Sequence, residues 1–177
     1  MQLYNTLSNE EREKLIDQAG VNRLTLSFYA YAHINNPQQF RDELFVRWSE
    51  LDVLGRIYVA KEGINAQLSL PAHNMSAFKD FLDTYTFMKD IRLNIAVEHD
   101  NKSFLKLKIK VRDKIVADGL NDNTFDVTDI GIHLKAQDFN NMMDDPDTIV
   151  IDMRNHYERE IGHFDGAITP DVTTFRE

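Results

Sequence analysis

The chain has no cysteine, which excludes disulfides, thiolate metal sites and a thiol nucleophile from its 177 residues. Glycine and proline are also sparse, at 7 and 4, and no low-complexity tract or internal repeat interrupts it. No stretch reaches the roughly 18 apolar residues of a membrane helix, and Met1-Gln2-Leu3-Tyr4-Asn5 lacks the basic and apolar regions of a secretory leader. A cytoplasmic protein without a membrane partner is expected. The six histidines, His33, His73, His99, His133, His156 and His163, show no metal-ligand spacing, so no metal site is assigned. What is present is ordinary for a globular chain: 42% hydrophobic and 28% charged residues.

Positive charge is scarce overall, with a net charge of −9, yet the scarcity is local. Residues 1–112 hold 15 Lys plus Arg against 14 Asp plus Glu, whereas residues 113–177 hold 5 against 15. Such asymmetry marks two regions with different surfaces, and it leaves the first free to meet a polyanion.

Ser8-Asn9-Glu10-Glu11 has the form of a capping box and opens a short docking helix within residues 1–20 that Gly20 ends. Residues 24–31 alternate as a strand, and Asn36-Pro37 then starts a helix whose Phe40, Leu44, Phe45, Trp48 and Leu51 recur at helical spacing. Strands at 55–60 and 64–70 flank the turn Lys61-Glu62-Gly63. Met75, Phe78, Phe81, Leu82 and Tyr85 mark a second helix, and strands at about 91–98 and 104–116 follow. The fold class is α+β. The order β-α-β-β-α-β over residues 21–116 predicts a ferredoxin-like (acylphosphatase-like) domain, an antiparallel sheet covered on one face by two helices with its other face free. Residues 117–135 read as a linker.

From Leu105 to Ile115 cations occupy every even position: Lys106, Lys108, Lys110, Arg112 and Lys114. On one extended strand they would line a single face over roughly 26 Å. Two readings fit: an edge strand whose lysines deter aggregation, or a track for a phosphate backbone. Residues 55–66 are a second stretch of interest, though on spacing alone they read as a plain hairpin with a polar turn in which Gly63 is explained by turn geometry.

That stretch, with Phe28-Tyr29, Lys106-Leu107-Lys108, Lys114-Ile115-Val116 and Val150-Ile151-Asp152-Met153-Arg154-Asn155-His156-Tyr157-Glu158, resembles the rhodanese-domain family of bacterial tRNA uridine hydroxylases, the TrhO or YceA family. Ala60-Lys61-Glu62-Gly63-Ile64-Asn65 followed by Gly162-His163-Phe164-Asp165-Gly166-Ala167-Ile168 carries the likeness; Ala66 departs from the glycine that many members have there. The resemblance implies that residues 136–177 open an α/β rhodanese-like domain with a buried strand at 149–151, and that the chain is the N-terminal part of a longer enzyme whose reactive cysteine lies further on. It implies oxygen-dependent hydroxylation of the wobble uridine of tRNA at C5, with molecular oxygen as co-substrate, no cofactor within these residues and no catalytic residue among them. The first domain would hold the anticodon arm through Arg56, Lys61, Lys106, Lys108, Lys110, Arg112 and Lys114. Asp152 and Arg154 would support the rhodanese loop, the plainer alternative being a surface ion pair. A sulfurtransferase and a non-catalytic RNA-binding module remain as rivals. An acylphosphatase-like hydrolase is disfavoured, since residues 30–37 lack a glycine-rich, arginine-bearing phosphate loop.

Overall fold

The computed structural model describes residues 3–98, 100–116, 126, 128–129 and 131–173, which fall into two compact units, Met1–Val116 and Ala117–Glu177. In the first unit Ser8 caps α1 (Asn9–Ala19): its hydroxyl accepts the Glu11 N–H at 3.2 Å while Glu11 accepts the Ser8 N–H at 2.7 Å. Gly20 stops the helix at φ 58°, the left-handed conformation a side chain resists. Then come β1 (Arg23–Tyr31), α2 (Pro37–Glu50), β2 (Leu54–Ala60), β3 (Gly63–Pro71), α3 (Met75–Leu82), β4 (Asn94–Ile95) and β5 (Leu107–Val111). Asn36 caps α2 by accepting the Gln39 N–H at 3.1 Å, with Pro37 at the first helical position, where its missing N–H costs nothing.

The sheet order is β4-β1-β3-β2-β5. Its first four strands pair antiparallel in the ferredoxin-like sequence. Alternation along β1 sends Leu26, Phe28 and Ala30 to one face, where Ile57, Val59, Ile64, Leu68, Leu107 and Ile109 join them beneath α2 and α3. Trp48 and Phe78 meet Phe28 at ring-centroid distances of 6.4 Å each, so the three largest buried side chains form one aromatic centre. Burying each stabilises by roughly 1.5–3 kcal/mol.

Three expectations change. The sheet is mixed, because β5 lies parallel to β2, pairing Arg56 with Lys108 and Tyr58 with Lys110. This follows from the path of residues 100–106, which reach the edge opposite β4 past the start of β1, where Asn101 accepts the Arg23 N–H at 2.9 Å and Ser103 meets the Thr25 hydroxyl at 3.3 Å. The last two strands are also far shorter than 91–98 and 104–116: only Asn94–Ile95 and Leu107–Val111 pair, since the intervening chain turns away through Asp100 and Asn101. Finally, the second helix ends at Leu82, leaving Tyr85 in the next turn with its ring 5.1 Å from Phe40.

Among its described residues the second unit contains α4 (Ala136–Met143), α5 (His156–Ile161) and one parallel bridge, Ile151 to Ile168. Of the proposed linker, residues 117–125, 127 and 130 lie outside the described residues. The strand at 149–151 is not buried: Ile149 is 73% exposed and Ile151 54%. These two side chains share one face of the extended segment, and that face has no covering layer among the described residues.

Candidate nucleic-acid interface

The second face of the first unit's sheet is open only in its middle. At the end where β1 starts, residues of its parity are buried: Arg23 at 3%, Ser69 at 0% and Leu54 at 3%. Arg23 donates to the Asp52 carboxylate at 2.7 Å and to the Ser69 carbonyl at 3.0 Å, and α1 lies across this corner, with Leu15, Ile16 and Ala19 facing Arg23 and Leu54 over a narrow crevice. The expectation of a wholly free face therefore fails here. At the other end the chain after β5 is tied back: Glu62 accepts the Ile115 N–H at 2.8 Å and Asn65 donates to the Ile115 carbonyl at 3.4 Å, burying Ile115 to 4%. The Glu62-Gly63-Ile64-Asn65 motif thus has a structural task, to clamp the exit of β5.

Between these covers the register lays out two rows. One runs Tyr29, Asn65, Tyr58, Lys110 across β1, β3, β2 and β5; the other runs Asn94, Ser27, Gln67, Arg56, Lys108. Tyr29 is 53% exposed, with Tyr31 against its edge at 5.9 Å, and the Arg112 guanidinium stands 5.6 Å from the Tyr58 ring centroid. Lys106 joins Arg56 and Lys108 along a shallow groove whose floor includes Ser103 and Phe104.

Five of the seven nominated cations, Arg56, Lys106, Lys108, Lys110 and Arg112, are thus gathered on this face or its rim. Lys61 is exposed in the β2–β3 turn. Lys114 sits beyond the strand, half-buried in the clamped segment, so the continuous ridge of five stops short; the extended conformation that would align it ends at Val111. Arg56, Lys61, Lys106, Lys108, Lys110 and Arg112 make no ion pair among the described residues. Lys106 lies close enough to Glu11 to help hold its carboxyl below the usual range, after the larger contribution of hydrogen bonds from Ser8. An array of uncompensated cations repels itself, and a bound polyanion removes that cost.

The edge-guard reading of the lysines loses its ground here. Among the outward-pointing carbonyls of β5, Leu107 accepts from Asn5 at 2.7 Å and Ile109 from Arg41 at 3.3 Å, so this edge is already occupied by the N-terminal segment and α2. The loop after β1 is likewise engaged: the N–H groups of Ala32 and Ile34 donate to the carbonyls of Glu62 and Lys61 at 3.0 and 2.8 Å. Backbone donors spent in this way do not cradle a phosphoryl group, which counts against a hydrolase. Tyr29, Tyr31, Tyr58, Asn65 and Gln67 were not nominated from sequence. The signal was present in strand alternation, since inward Phe28 and Ile57 force Tyr29 and Tyr58 outward.

In the second unit Arg154 forks onto Asp152, Nε at 2.9 Å and an NH2 donor at 2.6 Å, and donates to the Gly162 carbonyl at 2.7 Å. The pair is therefore more than a surface contact, because it joins the strand end to the far end of α5. Asn155 and Glu158 form the reciprocal cap of that helix. Hydrogen bonds from Arg154 pull the Asp152 carboxyl down to about 2. Because the folded value lies below the ordinary 3.8, the pair's contribution is complete above the ordinary range and disappears as pH falls through about 2. A carboxyl NMR titration of Asp152 should show this depressed midpoint, and Arg154→Gln should raise it toward the ordinary range while the residue-154 backbone N–H still holds it somewhat below; an ordinary midpoint in the parent chain would refute the pairing.

A family model described as the UPF0176 acylphosphatase-like domain matches residues 23–115, from the first residue of β1 to the clamped Ile115. The chain is similar to a tRNA uridine(34) hydroxylase of Leptospira interrogans, 54% identical over 99% of this chain and 48% of that protein. It is similar also to proteins of the same name from Photorhabdus laumondii, at 50% identity, and Salmonella typhimurium, at 51%, each again over 99% of this chain and 50% of the relative. The chain spans about half the length of the curated relatives it matches.

Proposed function

Since the chain belongs to the UPF0176 family through its acylphosphatase-like domain, we propose that its protein hydroxylates uridine 34 of tRNA, the reaction for which its relatives are named, and that the first unit holds the RNA. The product is 5-hydroxyuridine and molecular oxygen the oxidant; the surroundings are cytoplasmic and the portion gripped is the anticodon arm. The observation that carries the RNA-binding part is the gathering of Arg56, Lys106, Lys108, Lys110 and Arg112 around one open sheet face. Phosphates positioned there fix the register of a loop without reading its sequence.

Asp152, Arg154 and the α5 cap stiffen a turn between a strand and a helix, the place where α/β proteins carry chemistry, and we assign them the support of a rhodanese-like loop. None of them is assigned to the oxygen chemistry itself. Deleting the gene should remove 5-hydroxyuridine and nucleosides built on it from position 34, as read by mass spectrometry of tRNA digests, and complementation should restore them. Unchanged levels of modification in a strain with no second copy would sink the proposal.

A further inference from the structure

Charge alone does not explain which groups share the open face. A surface that only tracks phosphates needs lysines and arginines, whereas this one sets a half-exposed tyrosine ring, the amides of Asn65 and Gln67, and an arginine over a second ring beside the cations of β2 and β5. Tyr29 and Tyr58 both pair with Asn65 from opposite sides, so their backbones stand two strand spacings apart, roughly 10 Å. The face is also closed at both ends, by α1 over Arg23 and by the clamped Ile115 segment, leaving a window suited to a few nucleotides rather than a long duplex.

We propose that this window binds unpaired RNA bases on two stacking planes, the Tyr29 ring and the Arg112 guanidinium backed by Tyr58, with Lys106, Lys108 and Lys110 following the backbone of the same strand. The proposal rests on the reading of this face as an RNA surface and adds the class of RNA it takes: single-stranded nucleotides with splayed bases. The chemistry favours that class over a duplex. Every base has a π face, which aromatic rings and guanidinium planes accept, but in a helix those faces are hidden against neighbouring pairs. Arg112 suits the role because its guanidinium, 5.6 Å from the Tyr58 ring centroid, is a planar cation on which a base can stack, as a lysine ammonium is not.

The test uses the 177-residue chain and a fluorescein-labelled single-stranded uridine octamer, followed by anisotropy at fixed salt, with an RNA duplex of equal length and inorganic polyphosphate as competitors. Tyr29→Ala should weaken octamer binding about fivefold or more while Tyr29→Phe preserves it; Tyr29→Leu repeats the test with side-chain bulk retained. Arg112→Lys, which keeps the charge and removes the plane, should also lose affinity severalfold. Polyphosphate of matched charge and the duplex should compete poorly. If Tyr29→Ala, Tyr29→Leu and Arg112→Lys all bind like the parent chain while Lys108→Glu binds weakly, stacking is refuted and an electrostatic RNA surface remains. If Lys108→Glu also binds like the parent, the RNA reading of this face is itself overturned.

Discussion

Replacing Lys106, Lys108 and Lys110 together by glutamate should weaken tRNA binding about a hundredfold at roughly 0.1 M salt. Each phosphate contact to a single strand releases about 0.7 of a counterion, and at that salt each release contributes about fivefold to affinity. Three contacts multiply to about a hundredfold, and the new carboxylates also repel the phosphates and neutralise Arg56. The slope of log K against log salt should flatten by about 2. Folding should survive, because Lys108 and Lys110 point to solvent opposite the buried Leu107 and Ile109 and no ion pair is broken among the described residues. Equal affinity of the triple variant and the parent chain at low salt, with an unchanged melting temperature, would refute the cationic face.

The second large effect is on stability. Gly63 begins β3 at φ 140°, and a methyl group built there would collide with the Ala30 carbonyl oxygen of β1. The tight approach exists because the β2–β3 turn is bound to the chain leaving β1, Ala32 and Ile34 donating to the carbonyls of Glu62 and Lys61. Neither strand can retreat without losing those bonds. Gly63→Ala combines a backbone conformation that costs a side chain about 1–3 kcal/mol with a steric clash against β1 where the turn enters β3, so a loss of about 3–5 kcal/mol is expected. For a unit of this size that lowers the melting temperature by at least about 10 °C. A calorimetric shift of under about 3 °C would show that the turn relaxes freely. The loss should also loosen Ile115, since Glu62 holds its N–H from the same turn, and hydrogen exchange at Ile115 should speed up accordingly.

Much of the first unit was legible because short-range patterns and long-range packing agree. The Ser8 and Asn36 caps, the Pro37 start, the helical spacing of Phe40, Leu44 and Trp48, and the alternation of Leu26, Phe28 and Ala30 all act within a few residues, and each stands where those rules place it. The length of β5 was not legible. Lys-x-Lys-x-Lys-x-Arg-x-Lys alternates as a strand would, but a strand persists only where a neighbour offers partners, and β2 supplies them from Gly55 to Val59 alone. Lys114 therefore left the ridge that sequence periodicity gave it.

Sequence by itself determined which residues turn inward, which cap, and that this region's cations sit on the solvent side of their strand, because side-chain direction follows from backbone periodicity. Tertiary structure decided the rest: that β5 joins parallel to β2, that α1 and the Ile115 clamp close the two ends of the face, and that Tyr29, Tyr58 and Arg112 share a window. Those facts depend on which strands become neighbours, and the neighbour of β5 lies about fifty residues away in the chain, beyond the reach of any local pattern.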